Sequence, residues 1–131
     1  MFPKDIEILV VDDAPMARML IKKILSSLGY EHVIEADDGS MAHKLILRED
    51  HDFGLILSDW QMNEMAGLEL LKKVRLKKET SQVPFLLVSA LQGDARFEDG
   101  IIDDYTDVLA KPFRPEELIA ALTRLYSKIC G

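Results

Sequence analysis

The chain has 131 residues, of which 48% are hydrophobic and 30% are charged, and its formal net charge is −7. This balance predicts one globular domain with its own hydrophobic core, and the negative charge argues against sequence-independent binding to nucleic acid. A single cysteine, Cys130, excludes an internal disulfide framework. No signal peptide precedes the first apolar run, and no run approaches the ~20 residues of a membrane span, so we expect a cytoplasmic protein.

Apolar runs alternate with amphipathic stretches from the N-terminus onward. Ile6–Val11 is short, apolar and bounded by polar residues, which predicts a first strand that is buried on both faces. Apolar residues then recur at every fourth position from Met16 to Leu28, which predicts a first helix. We expect Met16 and Met19 to fill the core of the domain and Arg18 to lie on the solvent-facing side of the helix.

The rest of the chain repeats this alternation. Four more strands are predicted, at His32–Ala36, Phe53–Ser58, Val83–Ser89 and Asp107–Ala110. Further helices are predicted at Ser40–Arg48, at Gly67–Lys78 and from Pro115 onward, with a short or mobile fourth helix between Ser89 and Asp107. Strict alternation implies an α/β fold in one domain, residues 1–131, with a parallel sheet, right-handed crossovers and helices on both faces.

Polar residues stand at the ends of four of these strands. The residues are Asp12 and Asp13 after the first strand, Asp59 after the third, Ser89 at the end of the fourth and Lys111 after the fifth. Ligands of open α/β sheets bind outside the carboxyl ends of the strands, so we expect these side chains to share one site. Each residue alone could be an ordinary cap, turn or solvated side chain, but their joint position at one edge argues for a functional site.

The composition of this group suits a divalent cation and a phosphoryl group. Mg²⁺ takes oxygen ligands and usually only one or two protein carboxylates, which Asp13 and Asp59 could supply while Asp12 holds a coordinated water. A carboxylate such as Asp59 can also act as a nucleophile towards phosphorus. Lys111 would then add positive charge on the transferring oxygens, and the Ser89 hydroxyl could donate to one of them.

Five segments of the chain resemble the receiver domain of two-component response regulators, and in particular the CheY-like, single-domain chemotaxis type. The segments are Val11–Asp13, Ser58–Met62, Gly67–Leu70, Val88–Ala90 and Ala110–Phe113. The resemblance covers nearly the whole chain in order. It implies a flavodoxin-like, doubly wound sheet of five parallel strands in the order 2-1-3-4-5, with no output domain.

The resemblance also implies a role for each site residue. Asp59 would be the phosphoacceptor, Ser89 the switch hydroxyl and Lys111 the phosphate-binding lysine, followed by a cis peptide bond to Pro112. The implied Mg²⁺ ligands are Asp12, Asp13, Asp59 and the backbone carbonyl of Gln61. Val108 stands three positions before the lysine, where the family often carries an aromatic switch residue.

A phosphoacceptor switch, and not an enzyme, is the function that the resemblance implies. A histidine kinase would donate the phosphoryl group, and an output protein would read the face of the fourth helix, the fifth strand and the last helix. Chemotaxis and control of the flagellar motor switch are the favoured role, with no nucleic-acid or membrane partner. The acidic stretch that includes Asp94, Asp99 and Asp103 suggests that the partner's surface is basic.

Three other functions are weighed against this one. A phosphorelay intermediate would pass the phosphoryl group from Asp59 to a histidine phosphotransfer protein, and a receiver-like module would bind partners without phosphate. A phosphatase with an aspartyl-phosphate intermediate usually shows Asp-x-Asp after the first strand, whereas Asp12 and Asp13 are adjacent. No P-loop or Rossmann glycine pattern supports nucleotide binding. The three histidines lack the spacing of metal ligands and are expected at the surface or the core edge: His32, His43 and His51.

Overall fold

The computed structural model describes residues 1–48, 50–60, 65–90 and 103–130. Five parallel strands form one sheet in the order β2-β1-β3-β4-β5, which confirms the fold that the resemblance implied. The strands are β1 (Glu7–Val11), β2 (Val33–Ala36), β3 (Phe53–Asp59), β4 (Phe85–Ser89) and β5 (Thr106–Ala110). The order reverses between β1 and β3, which in such sheets opens a crevice at the carboxyl ends of these two strands.

The described helices follow the strands in turn. They are α1 (Pro15–Ser27), α2 (Gly39–Leu47), α3 (Gly67–Leu76) and α4 (Pro115–Cys130), with a 3-10 turn at Lys78–Thr80. The α2 helix begins where the Asp38 carboxylate accepts a hydrogen bond of 2.7 Å from the Met41 amide. The additional helix predicted between Ser89 and Asp107 falls mainly on residues 91–102, outside the described residues, so the last helix is α4.

Two layers of apolar side chains bury the sheet on both faces. Ile8 and Val10 of β1 belong to the cluster packed under α1 and α4, whereas Leu9 and Val11 belong to the cluster under α2 and α3. This alternation along one strand confirms the predicted helices on both faces, because successive side chains of a strand point to opposite sides. The last helix contributes its predicted stripe to the first cluster: Leu118, Ala121, Leu122 and Leu125 are buried, and Ile129 packs against them.

The prediction that Met16 and Met19 fill the core is wrong. The two side chains are 82% and 66% exposed, and Leu20 is exposed as well. The buried residues of α1 are instead Ile21, Ile24 and Leu25. A four-residue step turns a helix about 40° further than one full turn, so a series at every fourth position drifts around the helix and cannot face the sheet throughout.

The N-terminal segment is fixed to the rest of the domain. Phe2 is buried and its ring meets that of Tyr126 edge to face at 5.0 Å between centroids. The buried hydroxyl of Tyr30 donates a hydrogen bond of 2.6 Å to the Phe2 carbonyl. Lys4 lies over the ring of Tyr30, with its Nζ atom 4.5 Å from the ring centroid.

Other predictions concern the surface. Among the helices in the described part of the chain, none combines the length and apolar character needed to cross a bilayer. His32 is exposed and His43 and His51 are half-buried, as expected, and His51 pairs with Glu7 at the edge of the sheet opposite the predicted site. Cys130 is an exposed free thiol.

Candidate functional site

The structure brings the predicted site residues together at the carboxyl edge of the sheet. Carboxylate oxygens of Asp12, Asp13 and Asp59 all lie within 4.8 Å of one another. Lys111 Nζ reaches across from the end of β5 and donates to Asp12 Oδ2 at 3.0 Å and to Asp59 Oδ1 at 3.3 Å. Ser89 is buried beside it, and its backbone carbonyl accepts the Lys111 amide at 2.7 Å. The remaining predicted ligand, the Gln61 carbonyl, lies outside the described residues.

Asp12 is held from several directions. Its amide donates to the Ala36 carbonyl of β2 at 3.1 Å, and its Oδ1 accepts the Ala14 amide at 2.9 Å while Oδ2 accepts Lys111. Its side chain is only 2% exposed. Because both oxygens already accept hydrogen bonds, Asp12 is suited to hold a cation through a water. The exposed Asp13 and the partly buried Asp59 are better placed for direct contact, which is the division that the sequence suggested.

The prediction that Arg18 faces solvent is wrong, because its side chain turns towards the site. The side chain is 16% exposed. Its Nη1 donates to the main-chain carbonyl of Asp12, and its Nε donates to Glu35 Oε1 of β2 at 3.2 Å. Lys22 lies 3.4 Å from the other oxygen of Glu35. Sequence reasoning missed this contact, although a glutamate inside an otherwise apolar strand was a signal that a cationic partner packs over it.

The charges of the site do not balance. Burial raises the pKa of Asp59 above its usual value, and the charges of Asp12 and Asp13 raise it further, while Lys111 offsets only part of this effect. Burial alone would lower the pKa of Lys111, but its hydrogen bond to Asp12 and the charges of Asp12 and Asp59 outweigh burial and raise it. Lys111 therefore stays protonated at neutral pH. Three carboxylates facing one lysine leave excess negative charge, which favours a divalent cation.

Trp60, the residue directly after Asp59, is bonded both to the sheet and to the start of α3. Trp60 is buried in the cluster under α2 and α3, and its amide donates to the Val88 carbonyl at 2.9 Å. Its own carbonyl accepts the Gly67 amide at 3.0 Å. A Cβ atom at Gly67 would lie 2.2 Å from the Asp59 carbonyl oxygen, so only glycine allows α3 to begin at this distance.

An apolar crevice adjoins the site on the side of α1. It has a volume of about 310 Å³, and its lining includes Leu20 and Ile21 of α1 and Lys111, Pro112 and Phe113 after β5. The peptide bond between Lys111 and Pro112 is cis, as the resemblance implied. The crevice therefore extends from Lys111 to Leu20, an exposed apolar residue of α1.

The arrangement defines first a class of protein. A doubly wound sheet with clustered carboxylates and a protonated lysine at its carboxyl edge is a flavodoxin-like protein that can hold a cation beside an anionic group. The chain belongs to the response regulator receiver domain family, which its residues 8–123 match. It is thus a phosphoacceptor component of two-component signalling, and the family resemblance drawn from the sequence is confirmed.

Individual relatives agree with this assignment. The chemotaxis protein CheY homolog of Campylobacter jejuni is 37% identical over 112 residues, which cover 86% of this chain and 85% of that protein. The structure of Vibrio cholerae CheY4 matches with a TM-score of 0.81 and 32% identity, covering 92% of this chain and 98% of that one. The receiver domain of the sensor histidine kinase PA1611 from Pseudomonas aeruginosa has a TM-score of 0.78 and 32% identity over 93% of this chain and 98% of that one. Its structure contains a magnesium ion coordinated in the active-site cleft.

Proposed function

We propose that Asp59 accepts a phosphoryl group from a histidine kinase in a Mg²⁺-dependent reaction, and that the phosphorylated protein controls a chemotaxis output. The observation that carries the proposal is the position of the Asp59 carboxylate. It lies between two further carboxylates and the ammonium group of Lys111, which bonds one of its oxygens at 3.3 Å. An aspartate with a purely structural role would not need both a cation-binding cluster and a phosphate-binding lysine around it.

The residues present fit Mg²⁺. Asp13 and Asp59 would bind the ion directly and Asp12 would bind it through a water, so the ligands are all oxygen atoms, as Mg²⁺ prefers. The bound ion would neutralise charge, which lets an anionic carboxylate approach an anionic phosphoryl group. Asp12, fixed by its hydrogen bonds, keeps its charge directed at this position throughout.

The chain's own groups account for the transfer itself. An Asp59 oxygen would form a bond to phosphorus while the bond from phosphorus to the histidine nitrogen breaks and its electron pair returns to the imidazole. Lys111 would move its hydrogen bond from the Asp59 oxygen to a phosphoryl oxygen as negative charge spreads over the transferred group. Ser89, at the end of the neighbouring strand β4, is placed to donate to another phosphoryl oxygen.

The surface next to the site is suited to docking of the phosphodonor. The crevice of about 310 Å³ and the exposed Met16, Met19 and Leu20 give α1 an apolar face beside the entrance to Asp59. Exposed apolar surface of this kind marks interaction sites, and methionine adapts to different partners. We place the histidine-bearing domain of the kinase on this face. A histidine phosphotransfer protein would use the same face, which keeps a phosphorelay intermediate as the second candidate.

The output partner is proposed to bind the face that includes β5 and α4. Chemotaxis is supported by the names of the Campylobacter and Vibrio relatives, and the proposed partner is the flagellar motor switch. On the described part of this face, Arg124 and Lys128 both approach the Asp107 carboxylate, at 2.7 and 3.8 Å. Asp103 lies just before β5, whereas Asp94 and Asp99, also expected to contact a basic partner, lie outside the described residues. Asp103→Lys should lower partner affinity and its salt dependence.

Acetyl phosphate offers a direct test, because it needs no kinase. With Mg²⁺, the protein should gain the mass of one phosphoryl group, and the fluorescence of the buried Trp60 should change. Asp59→Asn or removal of Mg²⁺ by EDTA should abolish both signals. A Mg²⁺ response without any gain in mass, with either acetyl phosphate or a phosphorylated kinase, would instead favour a phosphate-independent binding module.

The docking face is tested separately. Met16→Glu should slow transfer from a phosphorylated histidine kinase, because a charge replaces an exposed apolar side chain in the contact, and leave labelling by acetyl phosphate unchanged. Met41→Glu is the matched control, since Met41 is an exposed methionine on α2. Equal kinase transfer rates for the two variants would contradict the proposed docking face but not the role of Asp59.

A further inference from the structure

We propose that Arg18 is a positioning residue for the Mg²⁺ site, and that it acts by fixing the peptide unit that leads into Asp13. This inference rests on the proposed function, because it assigns the cation to the carboxylates of that site. Its basis is the contact of the guanidinium group with a backbone atom of the acidic pair and not with a carboxylate.

The two peptide groups on either side of Asp13 are each held by a hydrogen bond. The carbonyl of Asp12 and the amide of Asp13 share one rigid plane, so the hydrogen bond from Arg18 Nη1 to the Asp12 carbonyl fixes the orientation of the peptide before Asp13. The peptide after Asp13 is fixed in turn by the hydrogen bond of 2.9 Å from the Ala14 amide to Asp12 Oδ1. Together these two contacts set the direction in which the Asp13 side chain leaves the backbone.

Asp13 depends on this support more than its neighbour does. The Asp12 carboxylate has its own partners, the Ala14 amide and Lys111. The Asp13 side chain is exposed, and within residues 1–48, 50–60, 65–90 and 103–130 no hydrogen bond to its carboxylate is formed. Backbone orientation is therefore the main restraint that the described part of the protein places on this ligand.

Glu35 makes Arg18 a stiff support. Its carboxylate accepts Arg18 Nε at 3.2 Å, so the planar guanidinium group is held at two points, by β2 through Glu35 and by the end of β1 through Asp12. Lys22 contacts Glu35 at 3.4 Å but has a half-exposed side chain and does not bond Asp12. Lys22 therefore serves as a control position on the same helix.

An electrostatic role of Arg18 and a positioning role predict opposite changes in Mg²⁺ affinity when the side chain is removed. A cation beside the site repels Mg²⁺, so if charge alone mattered, its removal would tighten Mg²⁺ binding. If Arg18 positions Asp13, its removal loosens a direct ligand and weakens binding. Groups that orient metal ligands typically contribute 10- to 100-fold to affinity, and we expect the low end, about 10-fold, because Arg18 acts through the backbone.

The experiment is a Mg²⁺ titration followed by Trp60 fluorescence, well below the unfolding temperature of each variant. Arg18→Ala should weaken Mg²⁺ binding about 10-fold. Glu35→Leu should also weaken it, because Arg18 loses the side-chain oxygen that accepts its Nε hydrogen bond and thus its second anchor. Arg18→Lys keeps the charge but not the two-point contact, so it should stay weaker than the wild type. Lys22→Met should bind Mg²⁺ like the wild type.

Labelling by acetyl phosphate provides a second measurement. For Arg18→Ala the Mg²⁺ concentration that gives half the maximal rate should rise, while the rate at saturating Mg²⁺ should stay close to that of the wild type. A merely structural role would lower the melting temperature and leave the Mg²⁺ affinity unchanged.

Unchanged or tighter Mg²⁺ binding in Arg18→Ala would overturn the inference and leave the proposed function standing. Full recovery in Arg18→Lys would also overturn it, since an ammonium group without the two-point contact would then support the site equally well. If the wild type itself gave no Mg²⁺ response by fluorescence or by calorimetry, the proposed function would fail and this inference with it.

Discussion

Replacing Asp59 by asparagine should stabilise the folded protein when no divalent cation is present. The substitution removes one of three clustered negative charges and keeps the size of the side chain. It also keeps an oxygen that can accept the hydrogen bond from Lys111. The protein would thus lose its proposed phosphoacceptor and gain stability.

The size of this stabilisation can be worked out from the distances between the charged groups of the site. With an effective dielectric constant of ~20, two unit charges at most 4.8 Å apart repel by at least about 3.5 kcal/mol. The attraction between Asp59 and Lys111 across 3.3 Å amounts to about 5 kcal/mol on the same basis. The repulsions from Asp12 and Asp13 together exceed this attraction by at least about 2 kcal/mol. Asp59→Asn should therefore raise the free energy of unfolding by about 2 kcal/mol, or the melting temperature by about 6 °C.

The stability gained in Asp59→Asn should increase as the pH rises. The folded-state pKa of Asp59 lies above its ordinary value of 3.8, so the folded protein binds this proton more tightly than the unfolded chain does. The wild type then loses stability as the pH rises from the unfolded value through the raised folded value. The difference in the free energy of unfolding between Asp59→Asn and the wild type reaches its full size above this pH range and disappears below it.

Urea denaturation followed by Trp60 fluorescence in EDTA measures this difference directly. Asp52→Asn, which removes an exposed carboxylate at the other edge of the sheet, controls for the change in net charge. Saturating Mg²⁺ should reduce the difference, because the ion offsets the same repulsion. A variant that is no more stable than the wild type at neutral pH in EDTA would refute this account of the site's charges.

Three further substitutions test other parts of the structure by the same urea assay. Lys111→Met should lower the free energy of unfolding by about 2 kcal/mol in EDTA, because buried carboxylates lose their counter-charge; an equal loss with and without Mg²⁺ would contradict this. Gly67→Ala should cost about 3 kcal/mol, since its Cβ would lie 2.2 Å from the Asp59 carbonyl, and a neutral result would show that the start of α3 can shift. Tyr30→Phe should cost about 1 kcal/mol by leaving the Phe2 carbonyl without its buried donor, and an unchanged unfolding midpoint would mean that water replaces the hydroxyl.

The strands and the site were predictable because both depend on short-range sequence patterns. Each buried strand is an apolar run with polar residues at its ends, and a parallel sheet places those ends at one edge, which brings Asp12, Asp59 and Lys111 together. The strand order itself came from the family resemblance, since alternation of strands and helices alone does not determine it.

The errors concern features that depend on how elements pack. The recurrence at every fourth residue located α1 correctly but not its rotation. Met16 and Met19 were assigned to the core because methionine commonly fills cores, although both are exposed. Arg18 was assigned to solvent because its partner, Glu35, belongs to β2, and only the fold brings this strand alongside α1. The exposed methionines belong to the proposed docking face, and Arg18 is the proposed positioning residue.

The hydrogen bond between Lys111 and Asp12 joins residues 99 positions apart and therefore has a consequence for how the chain folds. Closing so long a loop is entropically unfavourable, and pairing of the strands β1, β3, β4 and β5 brings its two ends to the same edge of the sheet. A nascent or partly folded chain could already contain Asp59 but would lack the complete site. Competence to react with a small phosphodonor would thus appear late in folding, which prevents an incompletely folded regulator from carrying a signal.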